Sequence, residues 1–196
     1  MNGVLLMALA TACSPPTNAA VVGFYEGRAT SKGGIGHTIE LKADGTALTG
    51  STVIVNSPYR VGSGHLFVGE SDVGALSIKG ETLRIQANGA TQTKVRRGAG
   101  QKTSIVGVWS FEHYTGTRAY ERYRADGIVE FRLPMSAYTG CYTADAGRLA
   151  FTQPQPSSSP FKLVGRTMVL SMPKKDYLYD RAERWYPQTD VGAEKR

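Results

Sequence analysis

Leu41-Lys42-Ala43-Asp44-Gly45-Thr46 returns 82 residues later as Tyr123-Arg124-Ala125-Asp126-Gly127-Ile128. In both places an Asp-Gly pair separates two short runs of alternating apolar and polar residues, which is a strong local signal for a β-hairpin. A three-residue hairpin loop places its glycine in the left-handed region as a bulge. We therefore expect hairpins at both sites, with Gly45 and Gly127 at the bulge positions.

Two further matches extend the similarity between the two parts of the chain. Val22-Gly23-Phe24-Tyr25 returns as Val106-Gly107-Val108-Trp109, at a spacing of 84 residues. Residues 76–85 match residues 161–170, at a spacing of 85 residues. Three matches at nearly one spacing predict an internal repeat of about 84 residues, which must be considered before any assignment of fold.

Each copy has the pattern of β-structure throughout. Short alternating runs are broken by Gly, Asp-Gly or Pro, and no stretch sustains helical periodicity. The strands predicted in the first copy are 21–28, 37–43, 46–55, 58–68, 74–86 and 91–97, and the second copy repeats that order up to 176–184. We expect an all-β protein made of two small tandem barrels or sandwiches; the alternative is one larger closed sheet built from both halves.

The hairpin register predicts one candidate binding surface. A bulge at Gly127 pairs Tyr123 with Val129, Arg122 with Glu130, and Tyr120 with Arg132. The outer face then carries the predicted site, since Tyr and Arg dominate binding hot spots. Its members are Tyr120, Arg122, Arg124 and Arg132. Glu121 shares the inward face with Tyr123, where we expect it to reach water at the end of the sheet; the alternative is a polar cavity.

The N-terminal segment is an apolar run, Val4-Leu5-Leu6-Met7-Ala8-Leu9-Ala10-Thr11-Ala12, that ends at Cys13. It resembles a bacterial lipoprotein signal peptide. The resemblance implies diacylglycerol on Cys13, a membrane anchor at the bacterial cell envelope and, from Ser14, the periplasmic face of the outer membrane. A cleavable secretory signal or a short buried strand are the alternatives. Without lipid, a disulfide with Cys141 is the competing possibility in an oxidising compartment.

The second copy carries a further resemblance. Gly107-Val108-Trp109 in its first strand, the Asp-Gly hairpin and a last strand ending at Arg181 resemble the lipocalin-like domains of bacterial lipoproteins. The resemblance implies that Trp109 packs at a closed end beneath Arg181. In the first copy Tyr25 replaces the Trp, and Arg96 or Arg97 takes the closing position. Units of only about 80 residues give no expectation of a roomy ligand cavity.

These observations predict the following organisation: signal peptide 1–13, tether 14–20, first β unit 21–98, linker 99–104, second β unit 105–188 and flexible tail 189–196. The net charge is +7, with an isoelectric point near 9.5. Such a surface attracts an anionic envelope component or an acidic protein by long-range steering. The lack of any recognition motif and the expected location argue against nucleic acid.

The sequence shows little sign of catalysis. His37, His65 and His113 lie far apart without ligands at metal spacing, so we expect neither a metal site nor a cofactor. Ser-x-x-Lys occurs at 159–162 and 171–174 without companion motifs. We therefore expect a lipid-anchored binding protein that is not an enzyme and that binds a ligand or an envelope component. One alternative is an inhibitor or immunity protein acting on a secreted enzyme, and the third hypothesis is an enzyme.

Overall fold

The computed structural model describes residues 12–28 and 34–188, which form an all-β fold with one short 3₁₀ helix, Ala19–Val21. The first seven strands are β1 Gly23–Gly27, β2 Ile35–Leu41, β3 Thr46–Gly62, β4 His65–Val68, β5 Ser71–Lys79, β6 Thr82–Ala87 and β7 Ala90–Arg97. The other seven are β8 Gly107–Glu112, β9 Arg118–Tyr123, β10 Ile128–Asp145, β11 Arg148–Phe151, β12 Ser157–Val164, β13 Thr167–Met172 and β14 Lys175–Arg181. The prediction of an all-β protein is confirmed.

The fourteen strands formed by the described residues pair antiparallel to their neighbours in one closed ring, and β1 pairs with β14. The long strands β3 and β10 also pair with each other across the ring, from Thr46 opposite Cys141 to Pro58 opposite Ile128. This ladder divides the ring into two lobes. The first lobe contains β1, β2, the first half of β3, the second half of β10 and β11–β14; the second lobe contains β8, β9 and the remaining halves, with β4–β7.

Each lobe therefore combines strands from both parts of the sequence. Two independent tandem units were expected, and one closed sheet built from both halves was the alternative. The pairing corresponds to that alternative, because β3 leaves the first lobe at its midpoint and β10 leaves the second. Each half of the chain therefore buries the inner face of its strands against strands from the other half. This packing gives it a core that it would lack by itself.

The strand boundaries differ from the predicted ones at three places. The expected strand 58–68 is divided by a turn at Ser63 and Gly64, between β3 and β4. The expected break near Pro58 is absent, because this residue lies where β3 changes partner from β10 to β4 and needs no backbone donor there. The expected strand 74–86 is a hairpin, β5 and β6, that turns at Gly80 with φ of 60°. A glycine can adopt this left-handed conformation without steric cost.

The predicted Asp-Gly hairpins are confirmed, with φ of 83° at both Gly45 and Gly127. The predicted register of β9 on β10 is confirmed as well. Each lobe has its own apolar core; Tyr25, Leu41 and Met168 are central to the first, and Leu83, Trp109 and Tyr123 to the second. Among the described residues, no helix has the length and apolar character needed to span a membrane.

Candidate functional site

The face predicted to bind a partner is covered by the chain itself. Tyr120 and Arg132 are each 2% exposed, and the C-terminal segment 182–188 packs over them. The Tyr186 ring lies 6.3 Å from that of Tyr120, and Trp185 lies over the guanidinium groups of Arg122 and Arg132. The structure brings Tyr120, Arg122 and Arg132 together as the register requires. Tyr120 and Arg132, however, are too buried to contact a partner.

Ion pairs fix this cover in place. Arg132 donates to both carboxylate oxygens of Glu26, at 2.7 and 2.8 Å, and the Tyr186 hydroxyl donates to one of them at 3.0 Å. Arg122 bridges Glu130 and Glu183. Burial and the neighbouring Glu26 charge raise the pKa of Tyr186. Arg124, the fourth predicted residue, pairs with Asp126 in its own hairpin and with Glu130.

The closed ends of the lobes show an exchanged pairing. Trp109 was expected beneath Arg181, but Arg96 lies over it, 4.1 Å from guanidinium carbon to ring centroid. Arg181 instead lies over Tyr25, at 5.4 Å. The expected partners are wrong because β8 pairs with β7, and β14 pairs with β1. The two contacts are arranged alike, since each joins an aromatic residue in one strand to an arginine directly opposite.

The open end of the second lobe contains a cavity of about 660 Å³. Its apolar wall includes Leu66, Val68, Val73, Phe111, Tyr114 and Phe131. This volume lies within the range of pockets that hold small molecules. No roomy cavity was expected in an 80-residue unit. The space exists because strands from both halves of the chain form this lobe together.

A buried ion pair stands inside this cavity. The Lys94 ammonium donates to Glu121 Oε2 at 2.5 Å, and the Tyr123 hydroxyl donates to the same oxygen at 2.6 Å. The side chains of Lys94 and Glu121 are only 3% and 13% exposed. The ammonium also lies 4.7 Å from the centroid of the Phe111 ring. Burial, together with the Glu121 charge, raises the pKa of Tyr123 and keeps its hydroxyl protonated.

This geometry corrects one expectation and adds one residue. Glu121 faces inward as predicted, but it meets the polar cavity that was the alternative and not open water. Lys94 was missed. In the sequence, Lys94 lies two residues before Arg96 and therefore on the same face of β7. This position indicates a site residue only when β7 is known to belong to the lobe that contains Glu121.

Cys13 forms a disulfide with Cys141, which was the competing possibility for a Cys13 that carries no lipid. The bonded sulfur cannot also carry lipid, so lipid attachment and this disulfide are alternative states of one atom. The following segment is held as well, since Thr17 donates its hydroxyl to the Ala144 carbonyl at 2.6 Å. A Cβ at Gly45 would collide with the Ser14 carbonyl, so the segment lies directly on the β2–β3 hairpin.

Among residues 12–28 and 34–188, no three His, Cys, Asp or Glu side chains cluster as metal ligands would. Comparison of the chain with protein-family models, curated protein sequences and solved structures finds no match. The choice of candidate site therefore depends on geometry alone. We select the second-lobe cavity, because it contains the buried Lys94–Glu121 pair.

Proposed function

We propose that the protein is a binding protein that holds a small zwitterionic, amino-acid-like ligand with an apolar body in the second-lobe cavity. The observation that carries this proposal is the Lys94–Glu121 ion pair inside an open cavity. A buried ion pair contributes little to folding compared with well-packed apolar side chains. Two opposite charges at the base of a cavity do, however, provide a specific handle for a ligand.

The hydrogen-bonding capacity of the pair favours a ligand with both charges. An ammonium can donate three hydrogen bonds, and one donor of Lys94 is used by Glu121. A carboxylate has about four lone-pair sites, of which Glu121 uses two. A ligand carboxylate can therefore bind Lys94 while a ligand ammonium binds Glu121. A purely anionic or cationic ligand would place a like charge beside one member of the pair.

The rest of the cavity suits an apolar or aromatic body. Phe111, Tyr114 and Phe131 supply ring surfaces, and Leu66, Val68 and Val73 supply aliphatic ones. Aromatic rings stack on flat ligands and attract cationic groups over their faces. Tyr114 is 93% exposed in the loop after β8, so it can contact a bound ligand from the solvent side.

The test is calorimetric titration with four compounds that share an indole ring: tryptophan, tryptamine, indole-3-acetate and indole. We expect tryptophan, the zwitterion, to bind the second lobe at least about tenfold more tightly than either singly charged compound, because it leaves no charge unmatched. The Gln92→Trp variant, which fills the cavity mouth from β7, should abolish that binding. Lys79→Met, at an exposed lysine outside the cavity, is the matched control for Lys94→Met.

Equal affinity for tryptophan and indole-3-acetate would contradict the zwitterion assignment. Unchanged tryptophan binding in Gln92→Trp would contradict the cavity itself. Loss of binding in Lys94→Met would support the assigned anchor if circular dichroism shows that this variant is folded and Lys79→Met binds fully.

We place this activity outside the cytoplasm, in the bacterial envelope. The Cys13–Cys141 disulfide supports export, because disulfides persist in oxidising compartments. Lipid on Cys13 remains a prediction for molecules in which the disulfide does not form. The duplicated, lipocalin-like origin of the two parts is likewise our proposal; the matching pairs Tyr25–Arg181 and Trp109–Arg96 support it.

A further inference from the structure

The first lobe has a cavity of its own, about 240 Å³ in volume, at its open end. Aromatic and aliphatic side chains cover much of its wall, among them Ile39, Phe151, Leu170 and Tyr179. The hydroxyls of Thr49, Ser51 and Ser157 stand among them. The described residues that line this cavity include no Asp, Glu, Lys or Arg. Its chemistry therefore differs from that of the second-lobe cavity.

The difference falls on corresponding positions of the two lobes. Glu121 is the Cα partner of Trp109, and Ile39 is the Cα partner of Tyr25. Lys94 precedes the closing Arg96 by two residues, and Tyr179 precedes the closing Arg181 by two. The ion pair of the second lobe thus corresponds to Ile39 and Tyr179 in the first. Tyr179 is 8% exposed, and its burial raises its pKa to about 12, so this position is uncharged at neutral pH.

One residue that lines this cavity carries a polar atom without a partner among the described residues. The Thr49 hydroxyl oxygen is buried and has no hydrogen-bond partner among the described residues. A buried hydroxyl without a partner is costly, and a bound ligand that donates a hydrogen bond removes that cost. The neighbouring Ser136 hydroxyl already accepts a hydrogen bond from the Ser51 amide, at 3.2 Å.

We infer that the first lobe is a second, separate binding site, which takes an uncharged aromatic molecule with one hydrogen-bond donor that reaches Thr49. The volume is below the range usual for drug-sized ligands, so a ligand of one or two rings fits. His37 is the one imidazole among the described lining residues, and no carboxylate, ammonium or guanidinium group stands beside it there. A charged ligand therefore binds less tightly than an uncharged one, because its charge loses water without gaining a carboxylate, ammonium or guanidinium partner. This inference goes beyond the proposed function, since it concerns the other lobe and another class of ligand.

The experiment titrates indole, 1-methylindole, indole-3-acetate and tryptamine into the full chain with its disulfide intact. Indole should bind at least about tenfold more tightly than either charged compound at this site. Ser157→Trp narrows the mouth at an exposed position on the inward face of β12, so it should abolish indole binding without disturbing the fold. Gln92→Trp, the corresponding change at the second-lobe cavity, should alter indole affinity less than about twofold.

Thr49→Val keeps the shape of the side chain and removes the hydroxyl. It should weaken indole binding about threefold to tenfold, the usual effect of one hydrogen bond, and leave binding of 1-methylindole unchanged. Three results would each overturn the inference. In the first, indole still binds to Ser157→Trp; in the second, a charged compound binds as tightly as indole. In the third, Thr49→Val weakens the binding of indole and 1-methylindole equally. Gln92→Trp blocks only the second-lobe cavity and Ser157→Trp only the first-lobe cavity. The two variants therefore test the first-lobe inference and the proposed second-lobe function independently.

Discussion

Arg96 lies over the ring of Trp109, although these residues belong to different halves of the chain. The two are Cα partners where β7 meets β8, so this contact closes the second lobe. The Arg96 side chain has no exposed surface and donates to the carbonyl oxygens of Gln101, Ser104 and Val106, at 2.9, 2.7 and 3.0 Å. One arginine therefore holds both the aromatic ring and the connection between β7 and β8.

Replacing Arg96 by Met should lower the free energy of unfolding by about 3–4 kcal/mol, because three carbonyl oxygens lose their donor and the Trp109 ring loses the guanidinium group packed on it. Urea unfolding followed by tryptophan fluorescence would measure the change. Arg84→Met, at an exposed position on β6, is the matched control and should cost less than about 0.5 kcal/mol. A loss below about 1 kcal/mol for Arg96→Met would contradict the role assigned to these bonds.

Local sequence was enough to predict the hairpins at Gly45 and Gly127 and the register of β9 on β10, because turn chemistry and strand alternation depend on neighbouring residues. The partner of Trp109 was predicted wrongly, since it depends on β3 and β10 crossing between lobes. Nothing in a strand's own sequence encodes its long-range partner. The burial of Tyr120 was also not predicted. It depends on the C-terminal segment 182–188, which lies far away in sequence and packs over Tyr120 without forming a strand.

The Lys94–Glu121 pair should show strong coupling in a double-mutant cycle. Lys94→Met and Glu121→Gln should each cost about 3–4 kcal/mol, because each leaves a buried group without its partner. The double variant should regain much of that loss, since it leaves no unpaired charge. Urea unfolding of all four proteins gives the coupling energy. Additive losses would mean that the two side chains do not depend on each other.

Removing the Cys13–Cys141 disulfide should destabilise the protein by about 2–4 kcal/mol, the usual range when an unfolded chain loses such a constraint. Cys13→Ser and Cys141→Ser should lower the urea midpoint by similar amounts, because either change breaks the same bond. Labelling with radioactive palmitate decides between the two states of Cys13. Label on the native chain that is absent from Cys13→Ser would show lipid in place of the disulfide; unlabelled protein with no free thiol would show the disulfide.

Alkaline pH should destabilise the folded chain through its buried tyrosines. Burial raises the pKa of Tyr179 from 10.0 to about 12 and also raises that of Tyr123. The folded state favours the protonated phenol, so this stabilisation is complete below pH 10 and is lost as the pH rises toward 12. Urea midpoints measured across this interval should fall. Tyr179→Phe, which cannot ionise, should fall less steeply; an identical slope would contradict the assignment.

The Glu26–Arg132 pair should be essential for the covered face. Glu26→Gln should cost about 3 kcal/mol, because the bidentate partner of a 3% exposed Arg132 side chain is lost while its charge stays buried. It should also loosen segment 182–188, since the Tyr186 hydroxyl donates to the same carboxylate. Hydrogen exchange at that segment would report the loosening. Glu70→Gln, at an exposed turn position between β4 and β5 and outside the covered face, is the control and should change stability by less than about 0.5 kcal/mol. Charge reversal at Arg132 would therefore unfold this face, so only the more exposed Arg122 and Arg124 can test a partner surface here.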